Sequence, residues 1–114
     1  MERLQCLNKI ELQGRIGRVN MNVRKTYARF SVATNYCYRD KDGNAVIETT
    51  WHDCECFEGN KIPSETIAKL EKGMSVNLKG RLRNHRYTDT EGTERTTYDV
   101  YVNELTILDG VAID

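Results

Sequence analysis

Hydrophobic and polar residues alternate along most of the chain, and this period of two is typical of strands with one buried face. The alternation predicts five strands, at Leu7 to Val19, Tyr27 to Tyr38, Val46 to Phe57, Met74 to Tyr87 and Arg95 to Leu108. In the first strand, Gly14 is expected to mark a bulge or a bend. In the fourth strand, the residues expected to face inward are Val76, Leu78, Gly80 and Leu82.

The pattern changes once, between the third and fourth strands. Pro63 and Ser64 predict the start of a short helix, with Ser64 as its N-cap. Ile67 and Leu70 form its apolar side, and Gly73 is expected to end it. A helix of about two turns is too short to be stable alone, so we expect it to plug an opening in the sheet.

The order of these elements predicts the fold class. Turn residues at 40–44 join the second and third strands into a hairpin, and a polar turn at 89–94 separates the last two strands. Three strands, a short helix and two strands match the all-β, five-stranded Greek-key OB-fold barrel, whose helix lies between strands three and four. We expect one OB-fold domain over residues 1–114, with about 1–6 and 109–114 frayed.

The two faces of the third strand differ in chemistry. Its inward face is expected to carry His52, Cys54 and Cys56, and the wetter face carries Trp51, Asp53, Glu55 and Phe57. Two unpaired carboxylates are costly in a core, and two large rings on a wet face suggest binding. The alternative is that Trp51 and Phe57 cover a core edge or a subunit contact.

Composition narrows the function classes. With 114 residues and no apolar run long enough to span a membrane, the chain is expected to be one domain without a membrane span. The four cysteines have no Cys-x-x-Cys spacing, so neither a zinc site nor another metal or cofactor site is indicated. The start of the chain does not resemble an export signal, which favours reduced thiols and a cytoplasmic location.

Charge is balanced in total but segregated along the chain. Residues 12–39 carry six basic and no acidic residues, residues 79–86 carry four basic and no acidic residues, and residues 40–58 carry six acids and one lysine. Segregated charge makes a usable local field. The cations expected to contact phosphates are Arg15, Arg29, Arg39, Lys79, Arg81, Arg83 and Arg86.

Aromatic residues are expected among these cations, on the face of strands two and three and on the last hairpin. They are Tyr36, Tyr38, Trp51, Phe57, His85 and Tyr87. Cations neutralise phosphates and release counterions, and rings stack on unpaired bases with little regard to sequence. Readers of duplex DNA usually place a helix in a groove, and no suitable helix is predicted, so single-stranded nucleic acid is the expected ligand.

From about Asn8 to Leu108, the chain resembles the bacterial single-stranded DNA-binding proteins. The matching segments are Asn8-Lys-Ile-Glu-Leu-Gln-Gly-Arg-Ile-Gly17, Phe30-Ser-Val-Ala-Thr34, Tyr38-Arg-Asp-Lys41, Thr50-Trp-His52, Phe57, Leu70-Glu-Lys-Gly73, Lys79-Gly-Arg-Leu-Arg83 and Tyr87-Thr-Asp89. The resemblance implies sequence-tolerant binding and protection of single-stranded DNA in replication, recombination and repair, near the nucleoid, without enzymatic activity.

The resemblance also implies residue roles and an assembly. In that family the rings at the positions of Tyr38, Trp51, Phe57 and Tyr87 stack on bases, and the residue matching His52 lies at a subunit contact. Members with one such domain per chain are usually homotetramers, so a homotetramer is expected here, with a dimer as the alternative.

Two features depart from the family pattern. Asp53 and Glu55 stand where basic or apolar residues are more usual, which predicts weaker or more salt-sensitive binding. The chain stops at Asp109-Gly-Val-Ala-Ile-Asp114 without the family's acidic, hydrophobic tip. Recruitment of replication and repair partners through such a tail is therefore not expected.

Three alternatives remain open. A related OB module of the primosome accessory type, acting through protein contacts, would fit the neutral net charge and the acidic third strand. RNA could replace DNA, since stacking does not distinguish them and only contacts to the 2′-hydroxyl would. A Cys-His catalytic site at His52, Asp53, Cys54 and Cys56 is disfavoured because Asp53 points away from the other three.

Overall fold

In a computed structural model the chain forms a closed five-stranded barrel, described here for residues 5–108. Its elements are β1 (Ile10–Met21), β2 (Tyr27–Arg39), β3 (Ala45–Phe57), α1 (Ser64–Lys69), β4 (Ser75–Thr88) and β5 (Glu94–Ile107). The strands close in the order β1-β2-β3-β5-β4. The predicted fold class and the position of the helix are confirmed, while the expected fraying concerns residues mostly outside the described part.

The core fills the barrel with the inward residues of every strand. Its buried members are Ile16, Ala28, Phe30, Val32, Cys54, Cys56, Ile62, Ile67, Leu70, Val76, Leu78, Val100, Val102 and Leu105. The helix contributes Ile67 to this set and its C-cap residue Leu70 is buried beside it, so the predicted role of the helix as a plug is confirmed. Among the described residues, no helix has the length and apolar character needed to cross a bilayer.

The ends of α1 differ from the expectation. Pro63 occupies the N-cap position, has extended backbone and makes no side-chain capping bond, and Ser64 is already helical. The carbonyl of Pro63 accepts from the amides of Thr66 and Ile67, so a backbone oxygen rather than a hydroxyl serves these two amides. The helix ends at Lys69, and Gly73, with a φ of +89°, lies in the turn that follows.

Two details of the strands also differ. The irregularity in the β1–β2 pairing lies between Ile16 and Val19, while Gly14 pairs regularly with Val76. Leu82 was expected to face the core but is 43% exposed. The reason is that β4 and β5 continue as a paired hairpin as far as Thr88 and Glu94, beyond the end of the barrel.

The barrel closes where β3 meets β5, and we call this junction the seam. Its parallel register is short, with Cys54 opposite Val100 and Glu55 opposite Tyr101. The long antiparallel hairpins β2–β3 and β4–β5 flank it on either side. A short parallel ladder contributes few backbone hydrogen bonds, so side-chain contacts on the outer surface must contribute to closing the barrel there.

Candidate nucleic-acid interface

The outer face of β3 continues onto β2 because the register between the two strands is unbroken. The opposed pairs on this face are Trp51–Ala33, Asp53–Ser31, Glu55–Arg29 and Phe57–Tyr27. Side chains directly opposite each other in an antiparallel pair lie on the same side of the sheet. The predicted division of β3 into two faces is therefore confirmed, and Trp51 and Phe57 lie on the outer one.

The side chain of Trp51 lies over β1 at Gly17, where any residue larger than glycine would overlap the indole. The indole is 60% exposed, and its six-membered ring is next to Gly17, where a Cβ would overlap it. The Ser31 hydroxyl, which also lies close to Gly17, accepts from the amide of Arg18 at 3.1 Å. The ring thus rests on the backbone of β1 and leaves much of its surface open, as a base-stacking ring requires.

Phe57 is the middle ring of a row that crosses the seam. Its centroid is 4.8 Å from that of Tyr27 on β2 and 5.9 Å from that of Tyr101 on β5. We call Tyr27, Phe57 and Tyr101 the aromatic row. The guanidinium carbons of Arg81 and Arg83 each lie 4.6 Å from the centroid of Tyr101, within cation–π range.

A group of ion pairs lies beside the aromatic row, and we call it the seam cluster. Its members are Arg29, Glu55, Arg83, His85 and Asp99. Arg29 lies 3.5 Å from Glu55 and 3.3 Å from Asp99, whereas Arg83 lies 2.5 Å from Glu55 and 3.8 Å from Asp99. His85 Nε2 is 3.1 Å from Asp99 Oδ2. The cluster therefore connects β2, β3, β4 and β5.

Burial makes the balance of charge in the seam cluster important. The side chain of Asp99 is 1% exposed and that of Glu55 is 12% exposed. Carboxylates this far from water stay ionised only beside compensating cations and hydrogen-bond donors. The hydroxyl of Tyr27 supplies one donor to Glu55 at 2.8 Å. Burial, and then this hydrogen bond, raise the pKa of Tyr27.

The expectation that Glu55 lies on a wet face is therefore wrong. The outer face of β3 is wet at Trp51, Asp53 and Phe57, but Glu55 is covered by the partners that neutralise it. The alternation of strand residues predicts which face a side chain occupies. It does not predict that neighbouring strands supply cations to cover that position.

Tyr87 extends the outer face onto the β4–β5 hairpin. It alternates with Arg83 and His85 on β4, so all three side chains leave the same side of the strand. Its ring is 50% exposed and lies beyond the barrel, opposite Arg95. Trp51, Phe57 and Tyr87 therefore lie on one outer surface that runs from β1 across the seam to this hairpin.

Tyr38 lies on a different surface. The register pairs it with Val46 and pairs Tyr36 with Glu48, an odd number of residues away from the Trp51–Ala33 pair. The expectation that Tyr36 and Tyr38 share a face with Trp51 is therefore wrong, because strand alternation places them on the opposite face of the hairpin. The two rings are 5.9 Å apart, and Tyr38 is 41% exposed.

The cations predicted to contact phosphates fall into two groups. Arg29 and Arg83 are paired with buried carboxylates in the seam cluster, and Arg86 lies 3.8 Å from exposed Glu94. The others form no ion pair with any residue in the range 5–108, and they are Arg15, Arg39, Lys79 and Arg81. Arg15 and Arg39 do donate to backbone carbonyls, of Gly73 and Gly43.

The inner face of β3 holds its two thiols away from solvent. Cys54 and Cys56 are fully buried, and burial raises their pKa values to about 12 and about 11. His52 Nε2 lies 2.9 Å from the hydroxyl of Thr34. Within the described part of the chain, no group of His, Cys, Asp or Glu side chains is arranged to hold a metal ion.

Three residues of this interface were absent from the sequence predictions: Tyr27, Asp99 and Tyr101. No site residue was predicted on the fifth strand, although alternation places Asp99 and Tyr101 together on the side opposite Val100 and Val102. The paired turns at Asp40–Asn44 and Asp89–Thr93 close both hairpins. The turn at Asp89–Thr93 sets the register of the β4–β5 hairpin, which puts Asp99 opposite Arg83 and Tyr101 opposite Arg81. Counting residues from this turn could therefore have placed Asp99 and Tyr101 in the interface.

Comparison with known families and curated proteins gives a consistent result. The model of the single-strand binding protein family matches residues 7–108. A single-stranded DNA-binding protein of Neisseria meningitidis is 37% identical over 109 residues, covering 91% of this chain and 61% of its own length. One from Xylella fastidiosa is 33% identical over 112 residues, covering 92% of this chain and 79% of its own length. The chain thus spans about three-fifths of the Neisseria relative.

Solved structures agree with this comparison. A Plasmodium falciparum SSB in complex with ssDNA superposes with a TM-score of 0.75 at 26% identity, covering 95% of this chain and all of that one. A single-stranded DNA-binding protein of Thermus aquaticus, a deletion mutant, superposes with a TM-score of 0.70 at 22% identity. It covers 92% of this chain and 52% of that one, and it supports the fold alone.

Proposed function

The chain belongs to the single-strand binding protein family, and we propose that it binds single-stranded DNA with little dependence on base sequence. On this proposal it protects unpaired DNA during replication, recombination and repair. The observation that carries the proposal is the continuous outer surface with Trp51, Phe57 and Tyr87 exposed on it. Such rings stack on unpaired bases of any kind.

Binding of single-stranded DNA also requires cations that contact phosphates, and the basic residues without ion pairs are suited to this role. Arg81 projects from β4 over Tyr101 of the aromatic row, Lys79 is exposed two residues earlier on β4, and Arg39 lies at the end of the β2–β3 hairpin. We propose that these side chains contact phosphates, and that Arg15 does so from its exposed position on β1. The ring of Tyr38 lies on the face of the β2–β3 hairpin opposite Trp51. On this proposal, Tyr38 contacts a base only where the single-stranded DNA has passed around the end of that hairpin.

A fluorescence titration tests the proposed function directly. Trp51 is the only tryptophan in the sequence, so quenching by oligo-dT reports on this surface alone. We expect quenching by oligo-dT and by mixed-sequence oligonucleotides, affinity that falls with rising salt, and little binding of duplex of the same length. Unquenched Trp51 fluorescence in excess oligo-dT at low salt would overturn the proposal. An oligo-U competitor measures the preference between DNA and RNA.

We further propose that the chain assembles with itself, as a homotetramer or alternatively a dimer, with His52 at a subunit contact. The support is family membership and the half-buried position of His52, bonded to Thr34 at the end of the barrel interior. Native mass spectrometry with and without long oligo-dT tests the assembly. A His52→Ala variant that keeps the wild-type mass at the same concentration would overturn the role of His52.

A second candidate function is supported by the seam cluster. Glu55 and Asp99 cancel the charge of two arginines on the outer face, and the net charge of the whole chain is zero. A primosome-type accessory module that works through protein contacts would need no stronger positive field. Feeble affinity for oligo-dT at low salt, combined with tight binding of a replication protein, would favour this candidate.

We propose that the chain is not an enzyme and that it acts in the cytoplasm, at the nucleoid. Cys54 is the thiol that follows His52 and Asp53 in the sequence. It is buried with a pKa of about 12, so the nucleophilic thiolate is scarce at neutral pH. A nuclease and hydrolase screen with a Cys54→Ala control tests the first point. Activity lost in that variant would overturn it, and fluorescence microscopy of a tagged chain tests the location.

A further inference from the structure

Tyr101 occupies a position on the outer surface that joins the two features of a nucleotide-binding site. Its ring is half-buried on β5 and continues the aromatic row from Phe57, at 5.9 Å and an interplanar angle of 29°. A strand whose base stacks on Phe57 therefore has a second, nearly parallel ring directly beside that base. Since each ring offers an independent stacking surface, neighbouring nucleotides can use both.

Arg81 adds an available cation at the same place. It lies directly across from Tyr101 in the β4–β5 register, and its guanidinium carbon is 4.6 Å from the ring centroid. No carboxylate among residues 5–108 is within ion-pair distance of it. Its charge is therefore free for a phosphate, and the ring beneath holds the side chain near the base.

Arg83 acts differently although it lies equally close to the ring. Its guanidinium is held by Glu55 at 2.5 Å and by Asp99 at 3.8 Å, and both carboxylates are largely buried. Because its charge is already compensated, Arg83 is suited to fix the orientation of Tyr101. The seam cluster thereby holds Arg83 against the ring, whereas Arg81, which has no ion pair among the described residues, is free to leave the ring for a phosphate.

We propose that Tyr101 and Arg81 form a further nucleotide subsite, in which Tyr101 stacks on one base and Arg81 contacts the adjoining phosphate. Arg83, Glu55 and Asp99 are positioning residues for that ring. The proposal rests on the proposed function, because it assumes that single-stranded DNA follows the outer surface. It adds a ring and assigns different roles to two arginines that the sequence treats alike.

The test compares two tyrosines of the same strand. Tyr101→Leu is expected to weaken oligo-dT binding about 5- to 50-fold. Tyr98→Leu is the matched control, since Tyr98 is the more exposed ring, at 60%, but lies on the opposite side of β5. Its affinity should stay within about twofold. Tyr101→Phe keeps the ring and should restore binding. Equal losses in the Tyr98 and Tyr101 variants would overturn the subsite.

Two further measurements keep the test decisive. Photo-crosslinking of wild-type protein to 5-iodouracil oligonucleotides should label Tyr101, and absence of that label with Trp51 labelled would overturn the subsite even if Tyr101→Leu fails to fold. Arg81→Gln should flatten the salt dependence by about 0.7 in log–log slope. A wild-type chain that does not bind oligo-dT would instead overturn the proposed function itself, along with this subsite.

Discussion

The seam cluster and the rest of the outer surface use the same kinds of residue for different purposes. In the seam cluster, Arg29 and Arg83 are bound to buried carboxylates at the junction that closes the barrel. Elsewhere on that surface, Trp51 and Arg81 project with no charged partner among the described residues. The neighbours of a basic residue, more than its presence in a basic run, therefore decide whether it can hold a phosphate.

This difference predicts that stability and binding can be separated by mutation. Residues of the seam cluster should control mainly the free energy of unfolding, and they should affect affinity only through the orientation of Tyr101. The exposed rings and unpaired cations should control affinity. Four experiments, taken from the largest expected effect to the smallest, can break or sharpen this division.

The largest effect is expected for Asp99→Asn in the seam cluster. Removing the charge of Asp99 leaves the charges of Arg83 and Arg29 poorly compensated. We expect the free energy of unfolding to fall by about 3 kcal/mol. This is the lower end of the usual range, because both arginines are partly exposed. Urea denaturation measures it. Asp53→Asn, on the exposed outer face of β3, is the control and should change stability by less than about 0.5 kcal/mol. Equal stabilities of the two variants would contradict the structural role of the cluster.

Trp51→Ala should show the reverse behaviour. The exposed indole contributes little to the core, so stability should change little, whereas the loss of one stacking surface should cost about 1–3 kcal/mol of binding free energy. Fluorescence anisotropy of a labelled oligo-dT measures the affinity without the tryptophan. If folded Asp99→Asn protein lost as much affinity as Trp51→Ala, the two regions would not be separable.

The sequence predicted most of the fold but only part of this division. Alternation identified all five strands and the outward position of Trp51, because each depends only on residues close in the chain. Asp99 and the burial of Glu55 depend on contacts between four strands, which no local pattern contains. Tyr38 was assigned to the wrong face because the register of its hairpin was not counted from the turn.

Gly17→Ala tests whether contact with β1 orients the Trp51 ring, without removing the ring. A Cβ at this position would overlap the indole, so the ring must swing away from β1. We expect an altered Trp51 emission spectrum in the free protein and a loss of about 1 kcal/mol in binding, smaller than for Trp51→Ala because the ring can still find a base. Gly59→Ala, where an added Cβ meets no atom within 4 Å, is the control. Unchanged Trp51 emission in Gly17→Ala would show that contact with β1 does not orient the ring.

The smallest effect, and the most direct comparison of the two regions, is in the salt dependence of binding. Each phosphate contact on a single strand contributes about 0.7 to the slope of log affinity against log salt concentration. Arg39→Gln removes a cation that donates to the carbonyl of Gly43 and has no ion pair within residues 5–108, so the slope should fall by about this amount. Arg29→Gln removes a charge that Glu55 and Asp99 already compensate, so the slope should stay the same. A fall of equal size in both variants would mean that DNA displaces the carboxylates from Arg29, and that the seam cluster opens on binding.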